Sequence, residues 1–404
     1  MKKCLLLVLT ALVIIAVSIS GFAQDQESPA KGTIIAPPSS RVQGPWGKVR
    51  TPLLIFIPDA SVNPDIPNGE TPASIACIYG VTPPTTGCPK NGTILPTGGT
   101  KAIAVVEYGH NSTLQSDMNT FTTHFGLPAI TLTEICSPGP PPCPSSNGTG
   151  WDVETALDVQ WAHSMAPNAQ IIVSEFTNDP LTDGAETAAA AAVVAAGGGE
   201  VSNSWGYQGG EFSGELSLDS YFVKNGVVFF ASAGDSGLGP QYPSISPNVV
   251  SAGGTQIQRD SNGNFTTESC WNGSGGGISI YEPLPNYQFI ISNIAHTHRG
   301  TPDLAADASP VSGVLVYNVT GCNGWCVVGG TSVASPVLAG IVNAAGGFLS
   351  FSSSELTKTY GEYRIPLLWK TDFFDITTGN NGSPAGFGWD QCTGVGSPRK
   401  LAGL

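Results

Sequence analysis

The sequence has 404 residues, of which 41% are hydrophobic, so the chain can bury a core and is not disordered. Only 11% of the residues are charged, and 51 Gly and 32 Pro are present, which is typical of an extracellular globular protein with many loops. The formal net charge of −14 excludes the basic surface that nucleic-acid binding requires.

The first residues predict a signal peptide. Two lysines precede an apolar run at residues 5–19, and small residues permit cleavage after Ala23. A membrane anchor is the alternative interpretation, but the run is short for a stable span. We therefore expect residues 1–23 to be removed, leaving a secreted monomer with no membrane segment.

Residues 24–67 predict a short linker or leader, because they are rich in Pro and Gly and show little periodicity. One domain is expected over residues 68–404, where apolar strands alternate with Ala-rich helices. The predicted strands are 102–106, 170–174, 200–204 and 227–231, and the predicted helices are 154–165 and 183–196. This order indicates an α/β fold with a mostly parallel central sheet and helices on both faces.

The cysteines indicate disulfide bonds. Of nine cysteines, only Cys4 lies in the predicted signal peptide, which leaves an even number in an exported chain. The close pairs are Cys77/Cys88, Cys136/Cys143 and Cys322/Cys326, and the remainder is Cys270 with Cys392. The sequence alone does not fix this connectivity. Cys322 and Cys326 could begin a zinc site, but no His or Cys follows at the usual spacing to complete it.

A candidate nucleophile lies in residues 329–336, GGTSVASP, where a Gly-rich turn leads into an apolar helix predicted over 333–345. Pro336 is tolerated if it lies in the first turn, whose N–H groups have no helical partner. Ser332 would then present its hydroxyl to solvent, beside backbone N–H groups that can stabilise an oxyanion. An ordinary N-cap serine is the alternative.

A nucleophilic serine needs a base, and none of the five histidines lies in a Gly-rich motif that would present it. Glu154 and Asp158 are four residues apart on a predicted helix, so both carboxyls share one face. Apolar neighbours would partly bury this face, and two close carboxyls in such a place share a proton. A solvated acidic face is the alternative.

Asp235 is a third candidate. It lies in residues 230–237, FASAGDSG, where an apolar strand ends in a turn of small residues. Catalytic groups collect at the carboxyl ends of parallel strands, although an aspartate that caps a turn would have the same pattern.

Taken together, these motifs resemble the sedolisin family of serine-carboxyl peptidases. The match runs in order through most of residues 71–404, and includes TPASIACIYGV at 71–81, ETALDVQWAHSMAP at 154–167 and VSNSWG at 201–206. The Gly-Thr-Ser motif is shared with subtilisin-like peptidases, whereas Glu-x3-Asp with Gly-Asp-Ser-Gly separates sedolisins from them. The resemblance implies a subtilisin-like fold and a peptide or protein substrate.

By motif position, the resemblance implies that Ser332 is the nucleophile and Glu154 the general base. Asp158 would orient Glu154, and Asp235 would take the place of an oxyanion-hole amide. Asp235 can donate a hydrogen bond only while it is protonated, so the implied chemistry favours acid.

The resemblance also implies supporting residues. Glu107 would extend the carboxyl network, and Trp205 would lie near it. Ser204 and Gly206, which flank Trp205, would belong to an edge that pairs with an extended peptide substrate.

Near the C-terminus, the resemblance places one structural Ca²⁺. This ion prefers oxygen ligands from carboxylates and backbone carbonyls. The implied ligands are the side chains of Asp375 and Asp390 and the carbonyls of Ile376, Gly386 and Gly388. Without the resemblance, such an Asp-containing loop is more often a simple turn than an ion site.

The chain departs from the family pattern at its N-terminus. Sedolisins are generally made with a long folded prosegment, and residues 24–67 are too few for such a domain. The loop 238–243, which helps form the primary specificity pocket in the family, looks short. We expect a secreted acid endopeptidase. The alternatives are an inactive peptidase-like binding protein and an acid tripeptidyl-type aminopeptidase.

Overall fold

The computed structural model describes residues 32–41, 48–58 and 68–404. The predicted signal peptide lies outside these ranges. In chain order, strands β1–β18 are Gly32–Ile35, Val49–Arg50, Leu54–Pro58, Ala102–Tyr108, Thr133–Ser137, Gln170–Phe176, Gly199–Asn203, Gly206–Tyr207, Val227–Ser232, Val250–Arg259, Phe265–Cys270, Gly277–Pro283, His298–Thr301, Leu304–Asp307, Val314–Asn318, Gly324–Gly329, Phe373–Phe374 and Ser397–Pro398. Helices α1–α10 are Pro38–Arg41, Pro72–Ile78, Leu114–Phe125, Trp151–Met165, Ala185–Ala195, Ser292–Ala295, Val319–Cys322, Thr331–Ala345, Ser352–Tyr363 and Pro366–Asp372.

The central sheet is eight-stranded in the described part of the chain, with the order β11-β10-β9-β7-β4-β6-β5 and β14 paired to β10. All of its pairings are parallel except that of β10 with β11. Parallel strands need crossover connections, which here contain α4, α5 and other helices. The predicted mostly parallel sheet is confirmed.

Helices cover both faces of this sheet. Along β4, Ile103 and Val105 point into a core shared with α4 and α8, whereas Ala104 and Val106 point into a second core beneath α5. This alternation follows from the pleat of a strand whose two faces are both buried. The predicted placement of helices is therefore also confirmed.

Helix boundaries differ from the predicted ones by a few residues. α4 begins at Trp151, three residues before its predicted start, and α8 begins at Thr331. Pro336 is consequently the sixth residue of α8, so our explanation that it lies in the first turn is wrong. Because Pro336 has no N–H, the carbonyl four residues earlier needs another hydrogen-bond donor.

Four disulfide bonds occur in the described residues, and they settle the connectivity that the sequence left open. They join Cys77 to Cys88, Cys136 to Cys143, Cys270 to Cys392 and Cys322 to Cys326. None of the helices in residues 32–41, 48–58 and 68–404 is both long and apolar enough to cross a bilayer.

The described parts of the predicted linker pack against the domain. β1 and β3 form an antiparallel sheet with β16 and β15, and β2 pairs with β8. β16 leads directly into α8, so this contact brings residues 48–58 to the start of the helix that carries Ser332. A domain boundary at residue 68 remains a prediction.

Candidate active site

Ser332 is the second residue of α8, directly after the turn at Gly330. Gly330 has φ +107°, and a Cβ there would lie 2.1 Å from the carbonyl oxygen of Pro52 and 2.6 Å from Oδ2 of Asp235. Glycine is thus required both by the backbone conformation and by the crowding of the turn. The turn brings the nucleophile candidate, a leader carbonyl and a carboxyl to one place.

The Ser332 hydroxyl does not face solvent, contrary to our prediction. The residue is fully buried, and its Oγ has no hydrogen-bond partner among the described residues. Its backbone N–H donates to the Pro52 carbonyl oxygen at 3.2 Å. The leader segment therefore covers the hydroxyl that we expected to be exposed.

Ser204 compensates for the proline in α8. Because Pro336 has no N–H, the carbonyl of Ser332 lacks its helical partner. Ser204 Oγ lies 3.3 Å from that carbonyl oxygen and 2.9 Å from Oδ1 of Asp158. One hydroxyl hydrogen can serve either acceptor, so Ser204 connects the nucleophile helix to the carboxyl pair.

Glu154 and Asp158 project from α4 and are fully buried rather than partly buried as predicted. Burial, with the charge of Asp158 second, raises the pKa of Glu154 well above its usual value. Burial likewise raises the pKa of Asp158 to about 8. The Ser332 hydroxyl lowers the pKa of Glu154, although no hydrogen bond of normal geometry joins them. The two carboxyls therefore retain protons into the weakly acidic range.

Glu107 adds a third buried carboxyl to this pair. We predicted that it follows a strand ending at residue 106, whereas β4 continues through it to Tyr108. Burial first, and then the charges of Asp158 and Glu154, raise the pKa of Glu107 well above its usual value. The proximity of Asp158 also raises the pKa of Glu107, although neither Glu107 oxygen makes a hydrogen bond of normal geometry among the described residues. The three carboxyls therefore form one buried cluster.

Asp235 follows β9 at the carboxyl edge of the sheet, as predicted. Its Oδ1 accepts hydrogen bonds from the N–H and the hydroxyl of Thr331, at 2.8 and 3.0 Å. Its Oδ2 is buried and has no partner among the described residues. Burial raises the pKa of Asp235 to about 7, against the lowering effect of Thr331. A protonated Oδ2 would be a free hydrogen-bond donor beside Ser332.

The predicted substrate-binding edge lies at β8. Trp205 is fully buried and packs edge-on against Tyr207, with ring centroids 6.0 Å apart. Gly206 is paired in antiparallel register with Arg50 of the leader. The edge expected to receive an extended peptide is therefore already paired with this chain's own residues.

Sequence reasoning missed two contributors to the site. Thr331 holds Asp235, and its Oγ1 also lies 3.0 Å from the N–H of Gly234. Its position directly before Ser332 was the available signal. Arg50 contacts Ser236 Oγ at 3.3 Å and lowers the pKa of Asp235 by its charge. Nothing in the Pro-rich leader sequence marked Arg50.

The candidate calcium loop lies between β17 and β18 and carries both predicted carboxylates. Gly388 N–H donates to Asp375 at 3.1 Å, and Gly386 N–H donates to Asp390 at the same distance. Burial, with a smaller effect from Asp390, raises the pKa of Asp375. Asp390 is buried and Asp375 is partly buried, and two carboxylates in a Gly-rich loop form a donor set that suits Ca²⁺, which would offset their mutual repulsion. The residues therefore fit the ion, with Ile376 adjacent in sequence.

Comparisons with known proteins agree with this arrangement. The model of the subtilase family matches residues 146–347, which is half of the chain. The chain is similar to kumamolisin of Bacillus sp. (strain MN-32), with 30% identity over 74% of this chain and 58% of that protein. It is also similar to sedolisin of Pseudomonas sp. (strain 101), with 27% identity over 75% and 57%. A third relative, tripeptidyl-peptidase 1 of Homo sapiens, is 25% identical over 72% and 57%.

Solved structures confirm the subtilisin-like fold. The structure of Pseudomonas sedolisin, a serine-carboxyl proteinase complexed with pseudo-iodotyrostatin, matches with a TM-score of 0.65 and 24% identity, over 82% of this chain and 96% of that one. Sphericase matches with a TM-score of 0.53 and 21% identity, over 82% and 99%. The chain spans only 57–58% of the length of the three curated relatives described above.

Proposed function

The chain belongs to the subtilase family of serine peptidases, in its sedolisin branch, and on that basis we propose that it is a secreted, acid-acting serine-carboxyl endopeptidase. The observation that supports the proposal is that Ser332, at the start of α8, lies near a buried carboxyl pair and a separate buried carboxyl. Each has a polar atom without a partner among the described residues, namely Ser332 Oγ, Glu154 Oε1 and Oε2, Asp158 Oδ2 and Asp235 Oδ2.

In the proposed acylation step, Ser332 Oγ attacks the substrate carbonyl and transfers its proton to Glu154. Asp158 orients Glu154 and accepts a hydrogen bond from Ser204, while Glu107 lies beside the pair as a third carboxyl. The oxyanion receives hydrogen bonds from Ser332 N–H and protonated Asp235. Glu154 then protonates the leaving amine, and water hydrolyses the ester by the reverse sequence of proton transfers.

The protonation states explain why the enzyme should work in acid. Asp235 must be neutral to donate, and burial raises its pKa to about 7. Glu154 must accept a proton from Ser332, so the Glu154–Asp158 pair must hold one proton rather than two. We therefore expect activity to be highest in acid and to fall toward neutrality as Asp235 ionises.

The substrate edge supports the endopeptidase over the tripeptidyl-type alternative. If Pro52 marks the residue before the cut bond, Arg50 is the third residue before it. The pairing continues beyond Arg50 to Val49 and to Lys48, whose carbonyl accepts from Gln208 N–H at 3.1 Å. An edge that pairs with more than three residues before the cut bond can bind a longer chain. It therefore does not require the substrate's amino terminus to lie three residues before that bond.

The test is peptide hydrolysis by the purified chain from pH 2 to 8. One substrate is an N-acetylated decapeptide, and the other is a tripeptide amide with a free amine. Cleavage of the acetylated peptide in acid is expected, and Ser332→Ala should abolish it without changing the thermal transition. Cleavage of the tripeptide amide alone supports the aminopeptidase. No hydrolysis of either, despite a folded protein, supports the binding protein.

We also propose that the loop around Asp375 and Asp390 holds one structural Ca²⁺, with carbonyls of Ile376, Gly386 and Gly388 as further ligands. The support is the donor set itself, two carboxylates of like charge beside a Gly-rich backbone. Such an ion would stabilise the folded chain because it binds only that state.

A further inference from the structure

His110, Glu134 and Glu175 come together beside β5, the last strand of the central sheet, and none of them has a role in the proposed reaction. His110 follows β4, Glu134 lies in β5, and Glu175 lies in β6. Nδ1 of His110 is 2.9 Å from Oε2 of Glu134 and 3.1 Å from Oε1 of Glu175. One ligand atom from each of the three side chains lies within 4.8 Å of the other two. Three separate segments of the chain therefore bring one imidazole and two carboxylates to a common point.

A histidine proton alone does not satisfy this arrangement. Nδ1 of His110 carries at most one hydrogen atom, whereas two carboxylate oxygens lie within hydrogen-bond distance of it. Only one of the two oxygens can accept that hydrogen well at a time, although Glu175 is fully buried and has little access to water. A cation with several coordination positions can bond to the nitrogen and to both oxygens at once.

The distances between these atoms suit a small divalent ion. The ligand atoms of a tetrahedral Zn²⁺ lie about 2.0–2.1 Å from the ion, and hence about 3.3 Å from one another. The separations of 2.9 and 3.1 Å between Nδ1 and the two carboxylate oxygens are slightly shorter than this. Glu134 is partly exposed, so its side chain can move outward by the small amount that an ion requires.

The donor types select a transition metal over Ca²⁺. Imidazole nitrogen suits Zn²⁺ and its neighbours in the first transition row, whereas Ca²⁺ takes oxygen ligands. A histidine and two glutamates provide Zn²⁺ with three protein ligands, which leaves a fourth position for water. Cys136 and Cys143 also lie near Glu175, but their sulfur atoms are joined in a disulfide bond and are not thiolate ligands.

Backbone contacts hold two of the three ligands in place. The Cys143 N–H donates to Oε2 of Glu175 at 3.2 Å, which leaves Oε1 of that carboxylate beside His110. The His110 N–H donates to the Pro144 carbonyl at 2.8 Å, and the Ser146 N–H donates to the His110 carbonyl at 3.0 Å. Outer contacts of this kind orient the ligands in metal sites. The side chains are therefore arranged for binding before an ion arrives.

We propose that His110, Glu134 and Glu175 bind one divalent transition metal ion, with Zn²⁺ as the expected occupant and water as its fourth ligand. The ion would link β5, at the end of the sheet, to β6 and to the loop that follows β4. It would stabilise the folded chain, because the three ligands are brought together only in that state. The site shares no residue with the proposed catalytic set or with the proposed Ca²⁺ loop, and it does not depend on either proposal.

The experiment measures metal binding by the purified chain. The protein is treated with a chelator, returned to pH 7.5 without reductant, and titrated with Zn²⁺ in excess Ca²⁺. Calorimetry should show one Zn²⁺ bound per chain, and saturating Zn²⁺ should raise Tm by several degrees. The Ca²⁺ keeps any site built only from oxygen ligands filled, so the titration reports the site that contains an imidazole.

Variants assign the bound ion to this site. His110→Ala and Glu134→Gln each alter a partly exposed ligand and should weaken Zn²⁺ binding roughly 100-fold or more, since loss of an outer contact alone costs 10- to 100-fold. His298→Ala is the matched control, because His298 is another partly exposed histidine and lies in β13. It should bind Zn²⁺ like the wild type, as should Asp390→Ala, which alters the proposed Ca²⁺ loop.

X-ray absorption at the zinc edge identifies the ligands in the wild-type protein itself. It should show one imidazole nitrogen among oxygen ligands, and the imidazole signal should be absent from His110→Ala. Three results would each overturn the proposal: no saturable Zn²⁺ binding, equal affinity in both ligand variants and the wild type, or a bound ion without imidazole. His110 would then be only an ion-pair partner of the two carboxylates. None of these results bears on the peptidase function, which is measured separately by peptide hydrolysis.

Discussion

Asp235 has two oxygen atoms in different environments. Oδ1 is held by Thr331, while Oδ2 is buried without a partner among the described residues. An ionised carboxylate would leave charge on an unsolvated oxygen, which is why burial raises the pKa of Asp235 to about 7. The neutral acid is the form that can donate to an oxyanion.

Asp235→Asn tests this assignment, because the amide is a donor at every pH. We expect activity in acid to fall by less than the roughly 100- to 1,000-fold that loss of an oxyanion donor costs, because the amide still donates, although with altered geometry. The alkaline limb of kcat/KM should move to higher pH. A profile that is only scaled down, with its limb unmoved, would assign that limb to Glu154 and Asp158 instead.

Ser204 tests the link between α8 and the carboxyl pair. Its hydroxyl lowers the pKa of Asp158, so Ser204→Ala should raise that pKa further and leave a buried oxygen unsatisfied. We expect about a tenfold loss of kcat for a lost hydrogen bond of ~1.4 kcal/mol. Ser202→Ala is the matched control, because Ser202 bonds to Ser335 and not to the carboxyls. Equal losses in both variants would indicate a general packing defect.

At the scale of elements, α4 could be predicted because apolar residues recur around Glu154 and Asp158 with helical spacing. Its full burial could not, since that depends on α8 and β4 packing around it. β2 and β3 were missed for a similar reason. They are short, and each acquires its hydrogen-bonded partner, β8 or β16, from far along the chain.

The loop of residues 375–390 provides an element-scale prediction. Asp390 also accepts the N–H groups of Cys392 and Thr393, so it orders the loop even without an ion. Asp390→Ala should lower Tm by several degrees through loss of these bonds and of Ca²⁺. A chelator should lower the wild-type Tm and have no effect on the variant. Superimposable wild-type scans with and without chelator would exclude the ion.

Across the whole molecule, many acidic groups are buried away from the active site. Burial raises the pKa values of Glu186 and Glu200 to about 8, and that of Glu355 to about 7. Between the unfolded pKa near ~4.3 and these values, the native state binds protons that the unfolded state has released. Stability contributed by these groups is therefore complete in acid and is lost as the pH rises toward 8.

Glu200→Gln tests this link between the fold and an acidic working environment. Glu200 is fully buried, and one of its oxygens accepts from Asn343 at 2.7 Å while the other has no partner among the described residues. The neutral amide keeps the shape but cannot ionise. The variant should therefore lose less stability between pH 5 and pH 8, by at most about 4 kcal/mol for one proton over three pH units.

Urea unfolding at several pH values measures the effect. Asp260→Asn is the control, because that aspartate is exposed and hydrogen bonds to Asn264 lower its pKa. Its contribution to stability is lost only as the pH falls through that lowered value, so the slope between pH 5 and pH 8 should not change. If Glu200→Gln leaves the same slope as the wild type, Glu200 is ionised in the native state. Any stabilisation of the fold in acid would then have to come from the other buried carboxyls.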